Sequence, residues 1–146
     1  MQEKVFEINN NILNFIHNNR DYSIDLNELE QVHLYKNCVV FISNGKVNLI
    51  PDYCFNINEL TFKLLDNSNY MVCGKKHIIN MQFVKSAHIE SFKNKEGCSD
   101  QHEVILTFTY GRKEGILLNS WREAERLYHE IDDKLAEIKN NQASCN

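Results

Sequence analysis

The sequence has little proline and glycine and no long apolar run. Pro51 is the single proline among 146 residues, and the five glycines are scattered, so no flexible linker divides the chain. No stretch approaches the roughly 18 consecutive apolar residues that predict a membrane-spanning helix. The N-terminus is polar where a secretory signal would be basic and then hydrophobic. We therefore expect one cytoplasmic domain with one hydrophobic core.

Metal-binding and catalytic motifs are missing as well. The five cysteines and six histidines are widely spaced and never form a CxxC, HxH or HxxxH pattern, which argues against a disulfide framework or a metal site. The motifs GxSxG, GxGxxG and HExxH and the P-loop are also absent from the sequence. These patterns predict free thiols, no metal, no cofactor and no enzymatic activity.

Basic residues are unevenly distributed along an acidic chain. The formal net charge is −4, and residues 1–70 hold five basic and nine acidic side chains, whereas residues 71–113 hold seven basic and four acidic ones. Polyanion binding depends on clustered Lys and Arg more than on total charge. The third quarter of the chain is therefore the region to consider for a nucleic acid, although mixed charge of this kind is also typical of an ordinary solvated surface.

A strand–turn–strand unit occurs twice. Residues 24–34 (IDLNELEQVHL) align with residues 79–89 (INMQFVKSAHI), and residues 40–46 (VFISNGK) align with residues 106–112 (LTFTYGR). The second segment of each pair ends in a glycine turn, which is typical of a hairpin because glycine adopts positive φ without steric cost. The first copy is acidic, whereas the second is preceded by Lys75-Lys76 and contains Lys85. A polyanion would therefore contact the second copy, and the first would serve chiefly as scaffold, with Lys36 as the exception to check.

Residue types around these units predict a mainly β fold with helices, a β-rich α+β class. Strands are indicated by β-branched and aromatic residues with partial alternation, and they cover residues 38–42, 47–50, 70–73, 104–110 and 116–118, with weaker signals at 5–16, 22–24 and 32–35. The segment 5–16 could alternatively form a helix. A short helix or a turn is predicted over 56–65, a basic loop over 74–77 and a polar surface loop over 91–102.

The C-terminal region predicts an amphipathic helix over residues 120–139. Ser120 and Glu123 form a capping box, in which both side chains bind free amides at the helix start. Apolar residues then recur at three- and four-residue spacing, and this stripe must pack on the sheet or on a second subunit; it contains Ala124, Leu127, Tyr128, Ile131, Leu135 and Ile138. We expect the single domain to span residues 1–140 and residues 141–146 to be a frayed tail.

Residues 69–84 (NYMVCGKKHIINMQFV) resemble the core signature of the LytTR family of bacterial DNA-binding domains. The shared pattern is an aromatic-led strand, a short basic loop, an aromatic residue or His, two aliphatic residues, Asn, and a later aliphatic residue. With the flanking segments, the resemblance covers roughly residues 20–128. It implies an elongated β fold whose loops enter the major groove, where Lys and Arg hold phosphates and a few polar side chains read bases.

Five residues are predicted to bind DNA, and the resemblance implies four of them. Lys36 and Asn37 match a first contact loop, Lys75 matches a polar position of the recognition loop, and Lys76 follows in the same loop. Gly74 stands where members of the family commonly have His.

Arg122 matches the Arg that the family places just after its last strand. Independently of the resemblance, a residue in the first turn of a capped helix lies near free amides that attract phosphate. A surface ion pair of Arg122 with Glu123 or Glu125 is an equally open interpretation.

Two functions follow as hypotheses. The first is a stand-alone, LytTR-like transcription regulator without a receiver domain, which binds double-stranded DNA as a homodimer through the C-terminal helix. The alternative is a pleckstrin-homology-like module that binds a protein or small ligand. The alternative predicts a closed barrel plugged by residues 121–138, whereas DNA binding predicts that Lys36, Lys75, Lys76 and Arg122 gather on one edge.

Overall fold

The structure, a computed structural model, describes residues 6–43, 45–52, 55–92 and 101–144. Within these residues the chain forms three antiparallel sheets and two helices, which confirms the predicted β-rich class. The strands are β1 (Phe6–Asn9), β2 (Ile12–His17), β3 (Arg20–Asp25), β4 (Leu29–Leu34), β5 (Cys38–Ser43), β6 (Lys46–Pro51), β7 (Tyr70–Cys73), β8 (His77–Asn80), β9 (Val84–Phe92), β10 (Gln101–Phe108) and β11 (Lys113–Leu118). The helices are α1 (Ile57–Leu65) and α2 (Trp121–Ser144).

The first three strands form a small sheet joined by two asparagine turns. Asn10 and Asn11 connect β1 to β2, and Asn18 and Asn19 connect β2 to β3, all four with φ between 52° and 62°. Asparagine tolerates this left-handed region better than other residues with a side chain, and two such residues in succession match a tight hairpin. The segment predicted as one strand or a helix over residues 5–16 is therefore two strands with a turn, and Val5 lies outside the described residues.

The chain divides into two compact units, of which the first comprises Met1–Val72 and Lys76–Asn80. It holds the small N-terminal sheet, α1 and a five-stranded sheet in the order β6-β5-β4-β8-β7, whose last strand ends at Cys73. Its core is rich in aromatic residues: the ring of Phe15 lies 5.0 Å from that of Phe55 and 6.4 Å from that of Phe41, centre to centre. All three rings are almost fully buried, so their packing fixes the N-terminal sheet against the larger one.

The second unit comprises Cys73–Lys75 and the chain from Met81 onward. Its sheet has the order β11-β10-β9, and α2 packs on it through the buried residues Ala124, Leu127 and Ile131. The helix therefore uses the first half of its predicted apolar stripe on its own sheet. It continues to Ser144, beyond the predicted end at 139, and the frayed tail over 141–146 stays a prediction. Residues 145–146 lie outside the described residues, and the 1–140 boundary stays a prediction.

Strand pairing supports the repeat. Pairing between β4 and β5 shifts at Glu30, which is skipped between Leu29 and Gln31. Pairing between β9 and β10 shifts at Lys85, which is the residue that aligns with Glu30. A bulge of this kind bends a strand at a defined place. Its recurrence shows that the two copies share a backbone geometry as well as a residue pattern.

Hydrogen bonds between aligned residues close both copies, one from a side chain and one from the backbone. The Ser43 hydroxyl donates to the Glu28 carbonyl at 2.9 Å, and the aligned Thr109 N–H donates to the aligned Phe83 carbonyl at 2.8 Å. In the first copy the end of β5 is thus tied to the residue just before β4. In the second copy the residue just after β10 is tied to the residue just before β9. The connection predicted over 91–102 is shorter than expected, because β9 reaches Phe92 and β10 begins at Gln101. Residues 93–100 lie outside the described residues.

Candidate nucleic-acid interface

Lys36 and Asn37 form the tip of the β4–β5 hairpin. The hairpin is closed by the Tyr35 N–H, which donates to the Cys38 carbonyl at 2.9 Å, so two residues are left at the turn. Both are exposed. The Asn37 carbonyl also accepts the Asp52 N–H at 3.1 Å, which ties the tip to the chain that follows β6. The two side chains therefore project from a backbone that is held on both sides.

The β7–β8 turn carries Lys75 and Lys76, both exposed, after Gly74. Gly74 has φ +71°, and a Cβ there would lie 3.0 Å from the Cγ2 atom of Ile116. A side chain at this position would be strained by the backbone conformation and crowded as well. The exposed side chains of this turn are therefore those of the two lysines.

Strand order brings one of these lysines to the hairpin tip. Because β4 and β8 are antiparallel neighbours, the end of β4 lies beside the start of β8. The Leu34 N–H donates to the Lys76 carbonyl at 2.7 Å, and Lys76 Nζ lies 6.0 Å from the centre of the Tyr35 ring, a distance at which a cation is attracted to an aromatic face. We call Lys36, Asn37 and Lys76 the basic edge of the first unit.

Tyr35 lies next to the basic edge but was not among the residues chosen from the sequence. Its side chain is 48% exposed although it borders a buried sheet, and it supports Lys76. Exposed aromatic rings next to cations are a common feature of nucleic-acid-binding surfaces. The signal in the sequence was an aromatic residue directly before the Lys36-Asn37 tip.

Arg122 lies in the first turn of α2, in the second unit. The predicted capping interactions are present: Glu123 N–H donates to Ser120 Oγ at 3.2 Å, and Asn119 N–H donates to the Glu123 carboxylate at 3.3 Å. Glu125 contacts His129 at 3.8 Å. In the described part of the chain Arg122 makes no ion pair, so the alternative of a pair with Glu123 or Glu125 is not what the structure contains.

A buried polar cluster lies on β4 and β8 next to the basic edge. His33 and His77 are directly opposite in the strand register, with ring centres 4.4 Å apart. Burial and the neighbouring His77 lower the pKa of His33 from 6.5 to about 4. Burial and the nearby Lys76 also lower the pKa of His77. Both imidazoles are therefore neutral at pH 7, and the cluster adds no positive charge to the edge.

The sheets do not fit the pleckstrin-homology-like alternative. That alternative requires a closed barrel, whereas the strands within the described ranges form three separate sheets, each with two edge strands. Neither described helix has the length and apolar character needed to cross a membrane.

Comparison with known proteins gives a likeness of fold. No protein-family model matches the chain, and no curated protein matches it. Among solved structures, the LytTr DNA-binding domain of a Bacillus cereus protein aligns with a TM-score of 0.52 and 9% sequence identity, over 88% of this chain and 98% of that one. The LytTR-like fold predicted from residues 69–84 is thus confirmed.

Proposed function

We propose that this chain is a DNA-binding module that contacts double-stranded DNA through the basic edge of its first unit and the start of α2 in its second. The observation that carries the proposal is the fold likeness to a LytTr DNA-binding domain, which extends over 88% of the chain. Two further features support it. Three of the five residues chosen from the sequence form one exposed edge, and the basic side chain at the start of α2 forms no ion pair with any of the described residues.

The residues of the basic edge suit two different tasks. Lys36 and Lys76 are exposed cations, and such side chains bind phosphate oxygens without regard to sequence. The carboxamide of Asn37 can donate and accept hydrogen bonds at once, as recognition of adenine in the major groove requires. Lys75 precedes Lys76 in its turn and adds a third cation. We therefore assign affinity to the lysines and sequence preference to Asn37.

Arg122 would bind a phosphate at the start of α2. The first turn of a helix presents free amides and the positive end of the helix dipole to an anion. The guanidinium adds a fork of donors that matches phosphate geometry. The net charge of −4 opposes association at long range, but screening over about 10 Å at 0.1 M salt lets the local cations dominate at the contact.

The finer proposal is a stand-alone transcription regulator that acts as a homodimer. The support for dimerisation is that Leu135 and Ile138, in the second half of the α2 stripe, remain only half-buried in the described unit. Sedimentation equilibrium of the unaltered chain and of Ile138→Asp tests this. A dimer that Ile138→Asp dissociates supports the proposal, and a monomeric unaltered chain contradicts it.

The test of DNA binding is fluorescence anisotropy with a labelled duplex between 50 and 200 mM salt. Each phosphate contact contributes about −0.9 to the slope of log K against log salt. We expect Lys76→Ala and Arg122→Ala each to reduce that slope by about 1 and to weaken binding on all sequences. Asn37→Ala should instead reduce the difference between preferred and random duplexes.

Lys46→Ala is the matched control for Lys76→Ala. Lys46 is an exposed lysine of the same five-stranded sheet. It pairs with Ser43 at one end of β5, whereas the hairpin tip lies at the other end, next to Cys38. Its replacement removes the same charge from the same unit and should leave the slope unchanged. No association at 50 mM salt, or equal losses in Lys46→Ala and Lys76→Ala, would contradict the proposed interface.

A further inference from the structure

A groove of about 390 Å³ lies between β9 and α2 in the second unit. Within the described residues β9 is an edge strand, so no further strand of its sheet covers the groove. Small-molecule sites in proteins commonly have volumes of about 300–1,000 Å³ and combine an apolar lining with a few polar groups. The groove is therefore large enough for a small organic ligand.

The helix side of the groove is a straight stripe. Six residues of α2 line it at three- and four-residue spacing, from Tyr128 to Lys139, so they share one face of the helix. At a rise of about 1.5 Å per residue, this stripe is about 16 Å long. A stripe of this shape suits an extended chain better than a compact ring system.

Apolar side chains form the bottom of the groove. Ile131 is fully buried, and Leu135 beside it on the stripe is half-buried. On the strand side, Ala87 lies opposite Leu106, a fully buried residue of β10, so its side chain is on the face of the sheet that α2 covers. Its single methyl group leaves room in the groove. An apolar chain placed there would be removed from water, which is favourable in proportion to the area covered.

Two lysines add positive charge to this apolar groove. Lys85 on β9 and Lys139 on α2 both line it and are exposed, and neither forms an ion pair with any of the described residues. Asp132 also lines the groove, two helical turns before Lys139 and thus about 10 Å away along the axis. A negatively charged head group at Lys139 therefore avoids the carboxylate of Asp132, and the charges favour one orientation of a bound chain.

We propose that this groove binds one carboxylic acid with an extended apolar chain, of the size of a medium-chain fatty acid. Lys139 and Lys85 bind the carboxylate through charge-assisted hydrogen bonds, and the chain lies along Leu135 and Ile131. None of the residues proposed to contact DNA lines the groove, and neither does Ile138. Binding of the acid therefore requires neither DNA nor dimerisation.

The experiment titrates the ¹⁵N-labelled full chain with sodium octanoate and follows the backbone amide signals by NMR, without DNA. We expect saturable binding of one octanoate per chain, with the largest shifts in β9 and in the second half of α2. A fully buried methylene strengthens binding by a factor of about 4. Because the groove covers a chain on one side only, sodium hexanoate, which is two methylenes shorter, should bind about fourfold more weakly.

Three substitutions test the charges of the groove. Lys139→Gln should weaken octanoate binding about threefold, as expected for one exposed ion pair. Asp132→Asn removes the repelling carboxylate and should strengthen binding about twofold, a gain that damage to the fold would not produce. Lys134→Gln is the matched control, because Lys134 lies on the same helix, pairs with Glu137 and does not line the groove. Its affinity for octanoate should be unchanged.

Octylammonium has the same chain as octanoate and the opposite charge, so it should bind several-fold more weakly. Equal affinities for octylammonium and octanoate would overturn the proposal. So would the absence of saturable shifts in β9 and α2, or equal losses of affinity in Lys139→Gln and Lys134→Gln.

Discussion

Replacing His33 by glutamine should remove an acid-induced loss of stability that the unaltered chain shows between pH 6.5 and pH 4. In the folded chain, burial and His77 hold the pKa of His33 at about 4, whereas in the unfolded chain it returns to its ordinary value of 6.5. Between these values the unfolded state binds more protons than the folded state, so the free energy of unfolding falls as the pH falls. Well above pH 6.5, His33 is neutral in both states, so its titration causes no loss of stability there.

The size of the effect follows from the shift. At about 1.4 kcal/mol per pKa unit, the whole change is at most about 3 kcal/mol, and about 2 kcal/mol of it is expected between pH 7.5 and pH 5. Glutamine keeps a polar group near Gln31 but does not titrate. His33→Gln should therefore lose about 2 kcal/mol less stability than the unaltered chain over the same interval.

Urea unfolding followed by circular dichroism at pH 7.5 and pH 5 measures both free energies by linear extrapolation. His129→Gln is the control, because it keeps the buried pair while the carboxylates titrate as in the unaltered chain. An equal loss of stability in His33→Gln and in the unaltered chain would refute the assignment of a buried neutral His33.

Two further changes test local features of each unit by urea unfolding at pH 7.5. Ser120→Ala removes the acceptor of the Glu123 N–H at the start of α2 and should cost about 1 kcal/mol, whereas Ser120→Asp should restore stability. Tyr70→Phe removes the hydroxyl that donates to the buried Leu26 carbonyl at 2.5 Å and should cost about 1–3 kcal/mol. A loss of unfolding free energy below a few tenths of a kcal/mol in Ser120→Ala or Tyr70→Phe would contradict the corresponding hydrogen bond.

Features that depend on neighbouring residues could be predicted from the sequence. The turns at Gly45 and Gly111 have φ of 79° and 87°, as the glycine-based hairpin pattern predicted. The helix start at Ser120 and Glu123 was predicted for the same reason, since the capping contacts span only three and four residues. The asparagine turns, such as Asn10-Asn11, are equally local, but they contain no glycine, the residue on which the hairpin prediction depended.

Features that depend on strand order could not be predicted in this way. The pairing of β8 with β4 joins segments that are separated by two strands, a helix and β7, and neither sequence indicates which strand it pairs with. His33 and His77 therefore appeared as two of six scattered histidines, although one register places them side by side. The gathering of Lys36 and Lys76 on one edge was predicted only as a consequence of the DNA-binding hypothesis, because neither segment indicates that it lies beside the other.

The strand order also changes the role expected for the two repeat copies. The sequence suggested that a polyanion would meet the second copy and that the first was chiefly scaffold, with Lys36 as the exception to check. In the structure, β8 contains the leading residues of the second copy, Ile79 and Asn80, yet it pairs with β4 of the first copy, and the Asn80 side chain donates to the Leu29 carbonyl at 2.9 Å. Lys76, just before β8, is thereby held beside the hairpin tip that carries Lys36. The hairpin of the first copy thus supplies two of the three residues of the basic edge, Lys36 and Asn37, although acidic residues lie elsewhere in the sequence of that copy.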